Sequence, residues 1–278
     1  MMKFTVFGNP IAHSLSPLIH QRFAEQFGIE LDYTRSLTSK AGFAAAVAKF
    51  FRSGGAGANV TVPFKTVAAD VVTHLTPRAA HAGAVNTLIP LGHGQLAGDT
   101  TDGEGLVRDL QRVLERDELP YEVLVIGAGG AASSVIEALQ EAGARVVMSN
   151  RSAAKVSALQ DDFNDLQAIP FSELARPPSL NGQVQRVVVN ATSASLSGAE
   201  LPIHSAWFQE SVLAYDMMYG KQSTAFLKQA QAAGATKVAD GLGMLVEQAA
   251  LSFALWHDGQ LPNVEPVLPA VRSALEAN

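Results

Sequence analysis

Apolar residues recur along the chain in two rhythms, one of period two and one of helical spacing, and the change from one to the other marks the elements. Residues 3 to 7, Lys-Phe-Thr-Val-Phe, alternate as a strand does. Ser16-Pro17 then predicts a helix start, with Ser16 as N-cap, Pro17 in the first helical position and Gly28 just past the end. A second helical stretch, about 40 to 52, stops at Gly54-Gly55, and Ala58 to Val62 reads as a short strand broken by Pro63. Within it the valines of Asn59-Val60-Thr61-Val62 share one face, which sends Val60 and Val62 to the core and turns Asn59 and Thr61 outward. Thr76-Pro77 opens another short helix that ends at Gly83. Val85 to Ile89 and Gln95 to Ala97 then predict a hairpin around Gly92 and Gly94.

From Glu104 to Arg116 the spacing of Leu106, Val107, Leu110, Val113 and Leu114 is helical, and this segment is expected to cross into a second domain. Residues 121 to about 238 read as repeated strand–helix units, with strands at Val123 to Ile126, Arg145 to Ser149, Arg186 to Asn190 and Leu213 to Asp216. Strands alternating with helices predict a parallel sheet with right-handed crossovers. An apolar helix over about 244 to 257 is expected to return to the first domain. The fold class is therefore α/β with two domains, residues 1–103 plus 241–278 forming an N-terminal α/β domain and 104–240 a Rossmann-like parallel-sheet domain.

Composition narrows the classes of function. At 278 residues, with 47% hydrophobic and 17% charged residues and a mean hydropathy of +0.14, the chain has the make-up of a globular protein with a substantial core. The N-terminus enters a strand directly with no apolar signal core, and no run of 18 apolar residues occurs, so neither secretion nor membrane insertion is expected. With no cysteine, disulfides and thiolate metal sites are excluded, which fits a reducing cytoplasm, and redox chemistry has to come from a bound cofactor. A net charge of −6 with scattered basic residues argues against nucleic acid as a partner. The dispersed histidines form no metal motif, so no metal is assigned.

Gly127-Ala128-Gly129-Gly130-Ala131-Ala132 fits G-x-G-x-x-A, directly after a predicted strand and at the start of a predicted helix, the context in which this motif holds a dinucleotide. Gly127 permits the tight turn, Gly129 lets backbone approach a pyrophosphate, and Ala132 lets helix and strand pack closely. At the end of the next strand, where NAD enzymes place an acid on the ribose, stand Ser149-Asn150-Arg151-Ser152 and then Lys155. Arg151 and Lys155, with Asn150 and Ser152 as neutral donors, suit a 2′-phosphate, so NADP is expected over NAD.

Reduction of a carbonyl needs a group that protonates its oxygen as hydride arrives and removes that proton in reverse. A lysine held by a carboxylate can do this, and Lys65, just after the strand ending in Val62-Pro63, has Asp102 of Thr101-Asp102-Gly103 as its candidate partner.

These segments together resemble the shikimate dehydrogenase family along almost the whole chain. The resemblance rests on Gly8-Asn-Pro-Ile-Ala-His-Ser14-Leu-Ser16-Pro17, Gly57-Ala-Asn59-Val-Thr61-Val-Pro-Phe-Lys65, Gly83-Ala-Val-Asn86-Thr87, Asp99-Thr-Thr-Asp102-Gly103 and the glycine turn. It extends through Asn150-Arg151-Ser152, Asn190-Ala-Thr192-Ser193, Asp216-Met217-Met-Tyr219 and Asp240-Gly241-Leu-Gly-Met244. It implies NADPH reduction of 3-dehydroshikimate to shikimate, a step of aromatic amino-acid biosynthesis, with Lys65 and Asp102 as the catalytic pair. It further implies that Ser14, Ser16, Thr61 and Tyr219 hold the substrate carboxylate and that Asn59, Asn86 and Gln248 bind ring hydroxyls. Met217 and Met244 would flank the nicotinamide, with Thr192 and Gly241 in the same cofactor set. The active site would lie in a cleft between the domains, in a monomer or homodimer.

Three positions depart from the family pattern. Thr100 stands where asparagine is usual before Thr-Asp, Ser195 replaces a glycine, and Thr224-Ala225-Phe226 replaces Thr-Pro-Leu. An acid near position 151 would have favoured a quinate/shikimate dehydrogenase accepting NAD. Loss of Lys65 or Asp102 would have favoured an NADP-binding regulator without catalysis.

Overall fold

The computed structural model describes residues 1–175 and 185–277, the side chains of residues 130, 131, 196 and 197 excepted. These residues pack as two compact units, Met1–Gly105 with Val246–Asn278, and Leu106–Leu245.

Among the described residues of unit 1 are the strands β1 (Met2–Gly8), β2 (Leu31–Leu37), β3 (Gly55–Val60), β4 (His74–Leu75), β5 (Thr87–Gly92) and β6 (Gln95–Asp99). They form one mixed sheet in the order β2-β1-β3-β5-β6-β4. β1 pairs in parallel with β2 and β3, whereas β5 runs antiparallel to both β3 and β6. The buried run of β1 explains its central place, since a strand covered on both faces needs apolar side chains on each. Phe7 meets Phe43 and Phe50 on one face, and Phe4 meets Tyr33, Trp256 and His257 on the other. Phe43 and Phe50 lie on α2 (Phe43–Arg52), which α1 (Ser16–Phe27) precedes and the short α3 (Lys65–Ala69) and α4 (Pro77–Ala82) follow. α4 begins as predicted, with Thr76 Oγ1 accepting from Ala79 N and Gly83 left-handed at its end.

α5 (Asp102–Leu114) carries the chain into unit 2. There β7 (Glu122–Ile126), α6 (Gly130–Glu141), β8 (Arg145–Ser149), α7 (Ala153–Asp162) and β9 (Gln167–Ala168) are followed by β10 (Arg186–Asn190) and α8 (Ala206–Gln209). After them come β11 (Ser211–Asp216), α9 (Ala225–Ala232) and β12 (Val238–Asp240). The strand order is β12-β11-β10-β7-β8-β9, with every pair parallel. Counted from β7, that is the 3-2-1-4-5-6 order of the doubly wound nucleotide-binding fold, reversing between β7 and β10. Alternate residues of β7 feed two cores: Val123 and Val125 join Ile136, Leu139 and Tyr215 on one face, while Leu124 and Ile126 join Trp207, Phe208 and Phe226 on the other. α10 (Leu242–Trp256) and α11 (Leu268–Ala277) complete the chain, and α10 brings it back to unit 1.

Three local expectations are corrected. Ser16 is not a capping residue: the helix cap is Leu15, which makes no side-chain cap bond, and Ser16 is the first helical residue, its N–H donating to Ser14 Oγ at 3.3 Å. β3 stops at Val60, so Val62 lies beyond the strand and is 68% exposed instead of entering the core. Asn59 is buried rather than turned outward, because the face it occupies is covered by α1 and α10.

Candidate active site

In unit 1 the polar site grows from the ends of β3, β5 and β6. Lys65 is the first residue of α3, placed there because Pro63 ends the extended run and Phe64 buries its ring against Phe43. Asp102 is the first residue of α5, where a carboxylate is favoured by the helix N-terminus. Lys65 Nζ donates to Asp102 Oδ2 at 2.7 Å, with the lysine side chain 27% and the aspartate 7% exposed. The ammonium thus stays reachable while its partner is almost enclosed.

Asn86 fixes the other carboxylate oxygen. Its Nδ2 donates to Asp102 Oδ1 at 3.0 Å and also lies 3.2 Å from Gln248 Oε1, while its Oδ1 accepts from Thr101 N at 3.0 Å and Thr87 Oγ1 at 2.7 Å. Lys65, Asp102, Asn86 and Gln248 are thereby brought together by the fold of unit 1. Asn59 lies beneath them. Its Nδ2 donates to Asn86 O and Ser252 Oγ, and its Oδ1 accepts from Tyr33 OH at 2.6 Å and faces His20 Nε2 at 3.2 Å. All four hydrogen-bonding positions of the Asn59 amide are occupied by protein. Of the residues predicted to bind ring hydroxyls, Asn59 therefore belongs to the supporting layer.

Ser14 Oγ donates to Ser16 Oγ at 3.2 Å, and the Ser14 carbonyl is clamped by the Arg35 guanidinium through Nε at 2.9 Å and Nη2 at 2.7 Å. Thr61 follows β3, its N–H donating to Phe7 O, with its side chain against Gly8. Upstream of Asp102, Asp99 accepts from Thr76 Oγ1 and from Arg78 at both carboxylate oxygens. Burial opposes its ionisation, but the Arg78 guanidinium and the Thr76 hydroxyl hold the Asp99 carboxyl below its ordinary range. Thr100 N donates to the same carboxylate, so the residue that departs from the family pattern keeps the turn and Asp102 in place. Tyr33, His20, Arg78 and Ser252 were not found by sequence reasoning.

In unit 2 the glycine turn follows β7, at the point where the strand order reverses. Gly127 has φ of 118°, and a Cβ there would come within 3.0 Å of the Thr192 methyl and 3.1 Å of the Ala191 carbonyl carbon, so only glycine suits it. Gly129 is the cap of α6, with open space where a side chain would be, and no side chain bonds the helix end. A helix N-terminus beside open space fits a pyrophosphate. Ala128 is half-buried beside them; Gly130 and Ala131 form the first helical turn, and their side-chain surroundings lie outside the described residues. After β8, Arg151, Ser152 and Lys155 are exposed, and Asn150 Nδ2 donates to Ser152 O, an arrangement open to a 2′-phosphate.

Asp216 organises the loops after β10 and β11. It accepts from Asn190 Nδ2 at 2.9 Å, Ser195 Oγ at 2.6 Å, Thr224 Oγ1 at 2.6 Å and Met218 N at 3.0 Å. Burial pushes its carboxyl up while these donors pull it down. Ser195 and Thr224 thus have a visible role: the Ser195 hydroxyl pins the loop after β10 that carries Thr192, whose own hydroxyl donates to Asn190 Oδ1, and the Thr224 hydroxyl pins the segment after β11. Met217 and Met244 are buried in the core of unit 2, and Gly241 N donates to Met218 O. Tyr219 is half-buried on the loop after β11, in unit 2, its phenol raised by burial and then by the Asp240 charge. Among the described residues no group of three or more His, Cys, Asp or Glu side chains is placed to hold a metal ion.

A doubly wound sheet with its glycine turn at the strand-order reversal, in one chain with a lysine–carboxylate pair, defines a two-unit oxidoreductase of the nicotinamide-dependent class. Residues 6–88 match the model of the shikimate dehydrogenase substrate binding domain, 111–197 that of shikimate / quinate 5-dehydrogenase, and 241–272 that of the shikimate 5'-dehydrogenase C-terminal domain. The chain is 48% identical over 275 residues to the shikimate dehydrogenase (NADP(+)) of Dechloromonas aromatica (strain RCB), covering 99% of this chain and 98% of the relative. It belongs to the shikimate dehydrogenase family. Among solved structures it is similar to an Ael1 enzyme from Pseudomonas putida, with 37% identity, 98% of each chain covered and a TM-score of 0.89. It is also similar to shikimate 5-dehydrogenase (AroE) from Thermus thermophilus in complex with NADP(H) and shikimate, with 35% identity, 99% and 100% coverage and a TM-score of 0.86. No described helix is long and apolar enough to cross a membrane.

Proposed function

We propose that this chain catalyses the reversible NADPH-dependent reduction of 3-dehydroshikimate to shikimate, in aromatic amino-acid biosynthesis. The observation that carries the reading is the 2.7 Å bond between Lys65 Nζ and Asp102 Oδ2 under the Asn86 amide, in a chain of this family. Residues 1–103 plus 241–278 bind substrate and 104–240 bind NADP, a division supported by the match of residues 6–88 to a substrate binding domain and by the glycine turn in unit 2.

When bound, NADPH supplies the hydride. Lys65 gives its proton to the oxygen at C3 as the alcohol forms and takes it back in the reverse direction. Asp102 orients the ammonium and is itself held by Asn86, so the proton donor is positioned before substrate arrives. Asn86 and Gln248 meet ring hydroxyls, and Ser14, Ser16, Thr61 and Tyr219 meet the carboxylate. Directed hydroxyl and amide donors reject substrates lacking the right groups, because those donors would be left unpaired. Gly127, Gly129 and the start of α6 take the pyrophosphate, Arg151 and Lys155 with Asn150 and Ser152 take the 2′-phosphate, and Thr192, Met217, Gly241 and Met244 line the nicotinamide end. The protein works in the cytoplasm as a monomer or homodimer, a location that suits a chain without cysteine.

The test is absorbance at the reduced-nicotinamide band with shikimate and either NADP or NAD. Fast reduction of NADP, slow reduction of NAD and a loss of about 10²–10⁴-fold in Lys65→Ala are expected. No turnover with shikimate by the wild-type chain would sink the assignment, and quinate would be the next substrate tried.

A further inference from the structure

Ser252 lies one turn beyond Gln248 on α10 and outside every motif that carries the family resemblance, yet it is fully buried against the residues that hold Asn86. Its Oγ stands 3.0 Å from Asn59 Nδ2, 2.7 Å from Thr87 Oγ1, 3.1 Å from the Gln248 carbonyl oxygen and 3.3 Å from Thr101 Oγ1. The place of its single proton follows by elimination. The Thr101 N–H can only donate and the Asp102 carboxylate accepts, so the Asn86 amide presents Oδ1 to the first and Nδ2 to the second. Thr87 Oγ1, 2.7 Å from that Oδ1, gives it its own proton. The 2.7 Å contact between the two hydroxyls is then a hydrogen bond only if Ser252 donates. Asn59 faces the Asn86 carbonyl with Nδ2, so Ser252 receives from the same nitrogen. The Gln248 carbonyl has a donor of its own in the Thr101 hydroxyl, at 2.9 Å.

A one-way run of hydrogen bonds thus leads from Asn59 through Ser252 and Thr87 to Asn86 Oδ1, all within unit 1. We propose that Ser252 is a positioning residue: by donating to Thr87 it leaves Thr87 only a proton to offer Asn86, and so keeps the Asn86 amide turned with Nδ2 on Asp102. The proposal rests on the functional reading above, in which Asp102 holds Lys65 for proton transfer. Without the Ser252 hydroxyl the Thr87 oxygen is open to accept, and the amide can turn over, setting its own oxygen against the Asp102 carboxylate. Asp102 then loses a donor, and Lys65 loses the fixed partner that aims its ammonium.

The experiment measures NADP reduction in a single turnover with saturating shikimate, in the wild-type chain, Ser252→Ala, Thr87→Val and the double variant. Ser252→Ala is expected to slow this step about tenfold, the scale of one hydrogen bond to a charged group, with KM for NADP within about twofold of wild type. Thr87→Val, which keeps the shape and removes the hydroxyl, gives a similar loss, and Thr87→Ser, which keeps the hydroxyl, recovers most of the rate. Because both residues act through one run, the double variant is no slower than Thr87→Val alone. A merely structural role makes the two losses multiply, and that outcome overturns the proposal. So does a Ser252→Ala chain that melts earlier in urea yet reduces NADP at the wild-type rate. No turnover of shikimate by the wild-type chain removes the functional assignment itself, and this inference falls with it.

Discussion

Side chains in unit 1 are held by one another: Asn86 bonds Asp102, Thr101, Thr87 and Gln248, and Asn59 beneath it is occupied at every position. The turn at the start of α6 in unit 2 holds its shape through backbone instead, through Gly127 at positive φ and Gly129 as the helix cap, and its cations Arg151 and Lys155 stand exposed. A saturated side-chain layer places each donor for one ligand and penalises any other, because a buried donor without a partner costs about 1–3 kcal/mol. A backbone cradle recognises the pyrophosphate that all dinucleotides share, and leaves discrimination to charges at its rim. In the proposed reading, specificity for substrate is thus built into the interior of one unit, and specificity for cofactor into the surface of the other.

The sharpest way to break this contrast is Asn86→Ala. It leaves Asp102 Oδ1 and Thr101 N each short of a partner, so turnover should fall about a hundredfold and stability by about 1–3 kcal/mol. Steady-state rates together with a urea melt decide it, and a variant that loses only stability would show that the layer does not position Asp102.

A second effect is set by pH. His20 is held neutral in the fold with its pKa lowered to about 3 from 6.5, so between those values the unfolded chain binds a proton that the folded chain does not. Stability therefore falls as pH falls through that window, by about 1.4 kcal/mol per unit, and is unaffected by this group above pH 7. Urea midpoints at pH 7 and pH 5 should show the loss, reduced in His20→Gln; the remaining slope includes His257, whose pKa is also lowered by burial. The glycine turn holds no such buried base, so tight-binding NADP should shift both midpoints upward without removing the slope.

The smallest effect belongs to the rim of unit 2. Arg151→Ala should raise KM for NADP about tenfold, leave KM for NAD and for shikimate unchanged, and lose much of its effect in high salt. An equal change for both cofactors would show that Arg151 supports the loop instead of reading the 2′-phosphate.

The elements whose signals are local were legible in the sequence. Thr76-Pro77 with Gly83 marked α4, and the glycine turn with Ala132 marked the junction of β7 and α6, because caps and turns depend on a few adjacent residues. Lys65 and Asp102 were legible as chemistry, but the bond between them joins residues 37 apart and is made by the sheet, not by spacing. Ser16 was misread because its place before Pro17 is a capping pattern, while its hydroxyl accepts from Ser14 Oγ. Val62 was misread because strand alternation was carried two residues too far, past the last pairing of β3. Tyr33 was missed altogether: Leu31-Asp32-Tyr33 alternates for only three residues before exposed positions follow, and nothing local shows that Tyr33 meets a residue 26 positions on.

Ser252 and Trp256, on the returning helix α10, give the strands of unit 1 a hydroxyl for Asn59 and an indole N–H that donates to Leu88 O. During synthesis these residues leave the ribosome only after the whole of unit 2, one uninterrupted stretch, has emerged. The strands of unit 1 are thus made before unit 2 and completed after it. Until α10 emerges, the nascent chain carries a nucleotide fold joined to a sheet whose polar layer still lacks its closing partners.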